Sequence, residues 1–339
     1  MGENVRIGLI GVGRIGKLHG NNLIRSVKGA KIEAVSDVAL STEQRSWAKN
    51  YSINKVFSDP APIMADKDID AVFICSSTDT HADLIIAAAR AGKHIFCEKP
   101  IHTDVNVIKK VLNEVERAGV KLQVGFVRRF DHNHKKVRDT VASGSLGKPH
   151  VVKITSRDPE PQSLSYVATS GGIFMDMTIH DFDMARYLSG SEVTEVTAYG
   201  SVLIDPAVKQ FGDIDTAIVM MKFENAALGV IDNSRAARYG YDQRTEVHCD
   251  KGCVQVANDL KDTSMISTAD GVFCERPTWF FLERYNDAFI TEAQAFVDSV
   301  ANDTEPLVTG KDGLMAVYIA KAAGMSLKEN RPVRLSELL

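Results

Sequence analysis

The chain is short of several things, and each shortage excludes a class. Its 339 residues hold five cysteines, Cys75, Cys97, Cys249, Cys253 and Cys274, an odd number at spacings that form no disulfide framework. Cys249 and Cys253 lie four apart, but no second pair and no histidine pair completes a zinc pattern. Reduced thiols and no metal are therefore expected. No apolar run approaches the ~18 residues of a membrane span. Residues 1–6 show no basic stretch leading into a long apolar one, so no secretory leader is expected, and Arg6 stands where a myristoylation signal needs Ser or Thr. Residues 335–339 match no retention or prenylation signal. A cytoplasmic protein is the expectation. Charge of one sign is also scarce: the formal net charge is -4, with 17 Lys+Arg against 14 Asp+Glu up to residue 123 and 23 against 30 beyond it. That balance makes no case for nucleic acid or an anionic membrane. There is no repeat and no low-complexity tract. With 44% hydrophobic and 25% charged residues the chain reads as an ordinary globular protein, and its length suggests two domains.

What is there falls into two grammars. Residues 5–10, 32–36, 71–75, 94–97 and 122–124 are short continuous runs rich in Val and Ile, as strands buried on both faces are. Helical periodicity at 15–26, 44–51, 82–91 and 106–118 separates them. Alternating strands and helices imply a doubly wound parallel sheet. After about residue 125 the pattern changes. A helix at 133–143, a strand at 150–157 and a helix at 175–188 precede runs at 193–203, 216–223, 227–234, 245–249 and 254–257 with period-two alternation. Helices near 287–301 and 314–328 follow. The fold class expected is an α/β domain over 1–124, then an α+β domain over 125–339 with a large, mainly antiparallel open sheet.

Gly11-Val12-Gly13-Arg14-Ile15-Gly16 fits GxGxxG, leaves a strand and opens a helix. Gly11 permits the turn, Gly13 lets a pyrophosphate approach the backbone, and Gly16 lets helix and strand pack closely. The helix start would present free N–H groups to the phosphates. Arg14 either adds charge there or is a solvated arginine. Asp37 ends the next strand, 21 residues after Gly16, where a carboxylate accepts ribose hydroxyls and repels a 2′-phosphate. The cofactor expected is NAD.

Two further stretches carry chemistry. In Glu98-Lys99-Pro100 the lysine follows a strand at the end where ligands bind in open α/β sheets, and an ammonium there suits proton exchange with a hydroxyl. A surface Lys-Pro turn is the competing reading. In residues 171–183, Asp176 and His180 are four apart among Ile173, Phe174, Met177 and Phe182. A helix would place them on one face. A carboxylate beside an imidazole fixes its tautomer and raises its basicity, which makes a general base. A mutually satisfied core pair or a helix-start cap explains them equally well. A metal set of His180, Asp176 and Asp183 lacks a recognised spacing. The run Arg128, Arg129, Lys135, Lys136, Arg138 is interrupted by acids and reads as a solvated face or a subunit contact.

These residues together resemble the glucose–fructose oxidoreductase/inositol dehydrogenase (Gfo/Idh/MocA) family over nearly the whole chain. The likeness rests on the glycine loop, Thr78-Asp79-Thr80-His81, Glu98-Lys99-Pro100 and residues 125–130. Within the family, Ser156-Arg157-Asp158-Pro159, residues 171–187, 239–244 and 281–285 look like its inositol 2-dehydrogenase members. The resemblance implies a Rossmann domain followed by a substrate domain whose open sheet builds a tetramer. It implies a catalytic set of Lys99, Asp176 and His180. By the same likeness Ser76, Thr78, His81 and Glu98 lie near the cofactor, and Arg128, Asp158 and Tyr239 near the substrate. Neither Met175 nor Met177 offers a polar group to a polyol. The activity implied is NAD-dependent oxidation of a ring hydroxyl of myo-inositol or a close isomer. Dehydrogenation of another sugar or polyol, an NAD-dependent glycosidase and a non-enzymatic NAD-bound sensor are the competing readings.

Overall fold

A computed structural model describes residues 4–339; residues 1–3, on which part of the leader reading rests, lie outside the described residues. In chain order the first elements are β1 (Val5–Ile10), α1 (Arg14–Arg25), β2 (Ala30–Ser36), α2 (Thr42–Asn50), β3 (Lys55–Phe57), α3 (Ala61–Ala65), β4 (Ala71–Ile74), α4 (Thr78–Arg90), β5 (His94–Glu98), α5 (Val105–Ala118) and β6 (Leu122–Gly125). The six strands form one wholly parallel sheet in the order β3-β2-β1-β4-β5-β6, the doubly wound Rossmann order. All residues of β4 and β6 are buried, as a sheet covered on both faces requires. The helices are cut by local chemistry. In α5, Asp104 caps the start by accepting from the Asn106 N–H. Ile108, Val111 and Val115 form its buried stripe, and Gly119 ends it in the left-handed region at φ 64°.

The following elements are α6 (His132–Ala142), β7 (Pro149–Arg157), α7 (Leu164–Val167), α8 (Ile173–Asp176), α9 (Thr178–Ser189), β8 (Val193–Ser201), β9 (Thr216–Phe223), β10 (Leu228–Ser234), β11 (Asp242–Cys249), β12 (Gly252–Val256), β13 (Met265–Thr268), β14 (Gly271–Cys274), α10 (Phe281–Arg284), α11 (Asn286–Ala301), α12 (Gly310–Glu329) and β15 (Val333–Arg334). Seven strands make a second sheet in the order β12-β11-β7-β10-β9-β8-β15. Only β7 and β10 are parallel in it. Strand β9 buries Ala217, Val219, Met221 and Phe223 and turns Ile218, Met220 and Lys222 outward, the alternation of a half-covered sheet. Helix α9 packs against β7 and β10 and is buried nearly all round.

The chain divides into two compact units. One runs to Phe130 and takes back Asp287–Met315; the other holds Asp131–Asn286 and Ala316–Leu339. The boundary expected at residue 124 therefore omits a return of the chain. The reason is coverage. In the first unit the core of β1, β2, β4 and α1 is completed by Ala293, Phe296 and Val297 of α11. The Phe296 ring lies 5.3 Å from Phe73 on β4 and 6.0 Å from Phe96 on β5. Helix α11 thus shares with α1 and α2 the covering of one face of the parallel sheet.

Three local expectations also change. Helix α4 begins at Thr78 rather than 82, with Thr80 Oγ1 donating to the Ser77 carbonyl. The helix expected at 175–188 is two helices parted at Met177. There Thr178 Oγ1 reaches back to the Ile173 carbonyl at 3.3 Å and forward to Asn233 Oδ1 at 2.6 Å, which bends the ladder. Finally, β3, β15 and the ribbon β13–β14 were not legible as strands; the first two are three and two residues long. Among the described residues no helix is long and apolar enough to cross a membrane.

Candidate active site

In the first unit the functional residues gather at the carboxyl ends of the parallel strands. The glycine loop leaves β1 beside the end of β4, where the strand order reverses. Gly11 adopts φ 87°, and a Cβ there would stand 2.7 Å from the Cys75 carbonyl carbon, so only glycine fits. At Gly16 a Cβ would stand 1.9 Å from the Gly11 carbonyl oxygen. Gly13 differs: a Cβ there meets nothing within 4 Å. The space over Gly13 is open, and α1 starts beneath it with no side-chain cap and no acid in its first turn. Arg14 is exposed and Ile15 half-buried at that helix start. Asp37 follows β2 and turns back onto the loop. Its Oδ2 accepts the Val12 N–H at 2.7 Å, and its Oδ1 accepts the Ala39 N–H at 2.9 Å. A carboxylate has about four lone-pair positions, so acceptor capacity remains for ribose hydroxyls. Gln44 braces the same corner, donating to the Val12 carbonyl at 3.0 Å. Open space over Gly13, a helix start without a side-chain cap and an acid just past β2 fit NAD.

Ser76 follows β4, and its hydroxyl shares a 2.7 Å hydrogen bond with that of Thr80. Thr78 opens α4 half-buried, and His81 lies buried one turn on. Glu98 closes β5, paired in register with Gly125, where a Cβ would stand 3.2 Å from the Glu98 carboxyl. Its Oε1 lies 2.9 Å from His19 Nε2. Lys99 is half-buried, and the Lys99–Pro100 peptide is cis. Arg128 sits buried in a 3-10 turn just past β6; its neighbour Arg129 pairs with Asp312 at 2.9 Å. The structure thus brings the cofactor candidates, Lys99 and Arg128 to one edge of one sheet.

In the second unit the centre is a residue the sequence reading missed, Arg235. It follows β10, and Asp158 follows β7, its parallel neighbour. Arg235 Nη1 donates to Asp158 Oδ2 at 3.1 Å, and Nη2 to Asp176 Oδ2 at 2.8 Å. The second oxygen of Asp176 accepts the Tyr166 hydroxyl at 2.7 Å. Burial opposes the charge on Arg235, but the carboxylates of Asp176 and Asp158 outweigh it, and its pKa is raised. Asp176 closes α8, and His180 lies half-buried in the first turn of α9. Helix α9 is pinned from below, where Asn233 Nδ2 on β10 donates to Asp181 Oδ2 at 2.9 Å. Tyr239 stands apart from this group. Its hydroxyl donates to Asp242 at 2.6 Å and accepts from Arg157 at 3.1 Å; burial and Asp242 push the phenol up. A lone Arg directly after an alternating strand, beside an Asp directly after another, was the available signal for Arg235.

Among the described residues one acid–histidine group has metal-ligand spacing, Asp131, His132 and Asp259, and it is not the His180 set. Arg284 already supplies its positive charge, 2.6 Å from Asp131 and 3.1 Å from Asp259.

A glycine cradle at a sheet's switch point and an acid placed for the ribose define a dinucleotide-binding protein. Comparison with known proteins specifies it. Residues 5–126 match the oxidoreductase family with an NAD-binding Rossmann fold, and residues 134–255 match the GFO/IDH/MocA C-terminal domain. The chain belongs to the GFO/IDH/MocA family. It is 50% identical to an uncharacterized oxidoreductase of Bacillus subtilis, over 99% of this chain and 98% of that one. It is 47% identical to the myo-inositol 2-dehydrogenase of Thermotoga maritima, over 99% of this chain and 100% of that one. The crystal structure of scyllo-inositol dehydrogenase from Lactobacillus casei with bound NAD(H) and scyllo-inositol superposes with a TM-score of 0.91 at 33% identity, covering 98% of this chain and 100% of that one.

Proposed function

We propose that the protein oxidises a ring hydroxyl of myo-inositol, or of a close isomer, to the inosose. The observation that carries the reading is the Asp158–Arg235–Asp176–Tyr166 cluster. A polyol offers hydroxyls that both donate and accept, and this cluster presents carboxylate acceptors and a phenol in fixed geometry. The relatives named for inositol point to the same substrate class. In this reading His180, oriented by Asp176, takes the hydroxyl proton. Lys99 hydrogen-bonds the same oxygen and stabilises the charge that develops on it. Arg128, Asp158 and Tyr239 hold other hydroxyls. Gly11, Gly13, Arg14, Ile15, Gly16, Asp37, Ser76, Thr78 and Glu98 hold the cofactor; His81, expected beside them, meets main-chain carbonyls instead. NAD supplies the hydride acceptor.

The same reading includes a homotetramer built on the open sheet. Tyr199, Ile218, Met220 and Leu228 are large apolar residues exposed on its strands, more than a solitary protein's sheet face needs. A cytoplasmic place in inositol catabolism belongs to it, in keeping with five free cysteines. The test is NADH formation from NAD with myo-, scyllo- and chiro-inositol and glucose in separate assays. Saturable turnover of one inositol far above glucose is expected, and His180→Ala and Lys99→Ala should each lower it ~10²-fold or more. Near-wild-type turnover in both variants sinks the assignment. NAD binding without turnover of any polyol favours the sensor reading.

A further inference from the structure

His81 has both ring nitrogens committed to main chain. The side chain is 1% exposed. Its Nδ1 lies 2.8 Å from the Pro100 carbonyl oxygen, and its Nε2 lies 3.1 Å from the Ser76 carbonyl oxygen. Those carbonyls belong to the segments that leave β4 and β5, adjacent parallel strands paired from Ala71–His94 to Ile74–Cys97. The ladder of β5 ends at Glu98, paired with Gly125. Lys99 is therefore the first residue past the sheet's own restraint. Pro100 has no N–H, so its carbonyl is the one main-chain group by which that residue can be tied. The imidazole ties it, from the first turn of a thirteen-residue helix. A neutral ring donates to only one of the two carbonyls, and with Nδ1–H it ties Pro100 to α4; only the doubly protonated ring donates to both and joins the two loops.

We infer that His81 is a positioning residue for Lys99 rather than a contact to cofactor or substrate. It ties the residue after Lys99 to the first turn of α4, so that the lysine leaves a fixed backbone. This inference rests on the reading of Lys99 as catalytic. Misplacing such a group by an ångström costs up to about 100-fold in rate.

The test is a double-mutant cycle on the full chain. Turnover and NAD affinity are measured for His81→Ala, Lys99→Ala and the double variant. His81→Ala is expected to lower kcat about 10- to 100-fold. NAD affinity should stay within about twofold, and in the Lys99→Ala background the same substitution should cost no more than about twofold. His81→Asn, which keeps one amide donor, should fall between; it carries the cycle if His81→Ala fails to fold. Wild-type kcat in His81→Ala, an equal loss in both backgrounds, or a loss confined to NAD affinity overturns the inference. A second readout needs no turnover: the rate at which Lys99 Nζ is acylated by a succinimidyl ester, followed by mass spectrometry. It should change in His81→Ala while other lysines keep their rates, and an unchanged Lys99 rate overturns the inference. If Lys99→Ala alone keeps full turnover, the catalytic reading of Lys99 has failed, and the acylation rates report separately on whether His81 positions it.

Discussion

The two units build their sites from different materials. In the first, the site is main chain: glycines that admit a backbone turn, a helix start without a side-chain cap, and an acid that binds the same loop it serves. In the second, it is buried side-chain charge: one guanidinium held between a carboxylate that follows a parallel strand and one that ends a helix, with a tyrosine closing the set. A main-chain site tolerates almost no change of shape. A charge cluster tolerates shape but not the loss of one member, because the partners stay buried and uncompensated.

Arg235→Ala probes that contrast most severely. Asp158 and Asp176 side chains are 11% and 12% exposed, and removing the cation takes an ion pair from each. Breaking a buried pair of this kind costs about 3–5 kcal/mol. Denaturant unfolding of the second unit should show it, together with loss of polyol turnover. Binding of NAD by the first unit should be unaffected. A stability change under about 1 kcal/mol removes the claim that this cluster is held by its charges. Arg235→Lys should recover little, since an ammonium cannot span both carboxylates as a fork does.

The contrast also explains what was legible beforehand. The glycine loop, Asp37 and Lys99 announce themselves because each is set by its position relative to a buried strand, and a run of Val and Ile marks that strand. Asp176 and His180 were visible as polar groups in an apolar stretch, but the break at Met177 was not. Beside it Thr178 bonds Asn233, 55 residues away, and no local pattern carries that. Arg235 was missed for the same reason: it meets Asp158 across 77 residues of sequence. The return of α11 was read as a helix and assigned by adjacency to the wrong unit. Its apolar face says that it must cover something, not which sheet.

Within the first unit the glycines divide the main-chain site into fold and ligand. Gly16→Ala places a Cβ 1.9 Å from the Gly11 carbonyl oxygen, and overpacking of that kind costs about 1–3 kcal/mol. Gly13 has ordinary backbone at φ -73° and open space before it. Gly13→Ala should leave stability within about 0.5 kcal/mol and still weaken NAD about tenfold or more. Calorimetry of both variants with and without NAD checks the split. If Gly13→Ala binds NAD as the parent does, the open space is not the pyrophosphate site. Asp37→Asn is milder. It keeps an acceptor for the Val12 N–H but removes the charge, so the preference for NAD over NADP should narrow with little change in fold. An unchanged preference contradicts the ribose role.

The smallest expected effect reverses the comparison, because the first unit also buries an acid, and that one has no cation. Glu292 on α11 is 0% exposed and, among the described residues, neither carboxyl oxygen has a hydrogen-bond partner. It lies between Phe289 and Phe296, whose rings meet His19 at 5.5 Å and Phe73 at 5.3 Å. Burial, and then the charge of Glu98, push its pKa well above the ordinary 4.5. The sign follows. The folded chain holds this proton more tightly than the unfolded one, so the stability gained from it is complete below pH 4.5 and is lost as pH rises toward the raised folded value. Glu292→Gln keeps the neutral shape and has no proton to lose. Its melting temperature should match the parent's at acid pH and exceed it by a margin that grows toward alkaline pH. A constant margin across that range would mean that Glu292 is ionised in the folded chain, and that some cation serves it as Arg235 serves Asp176.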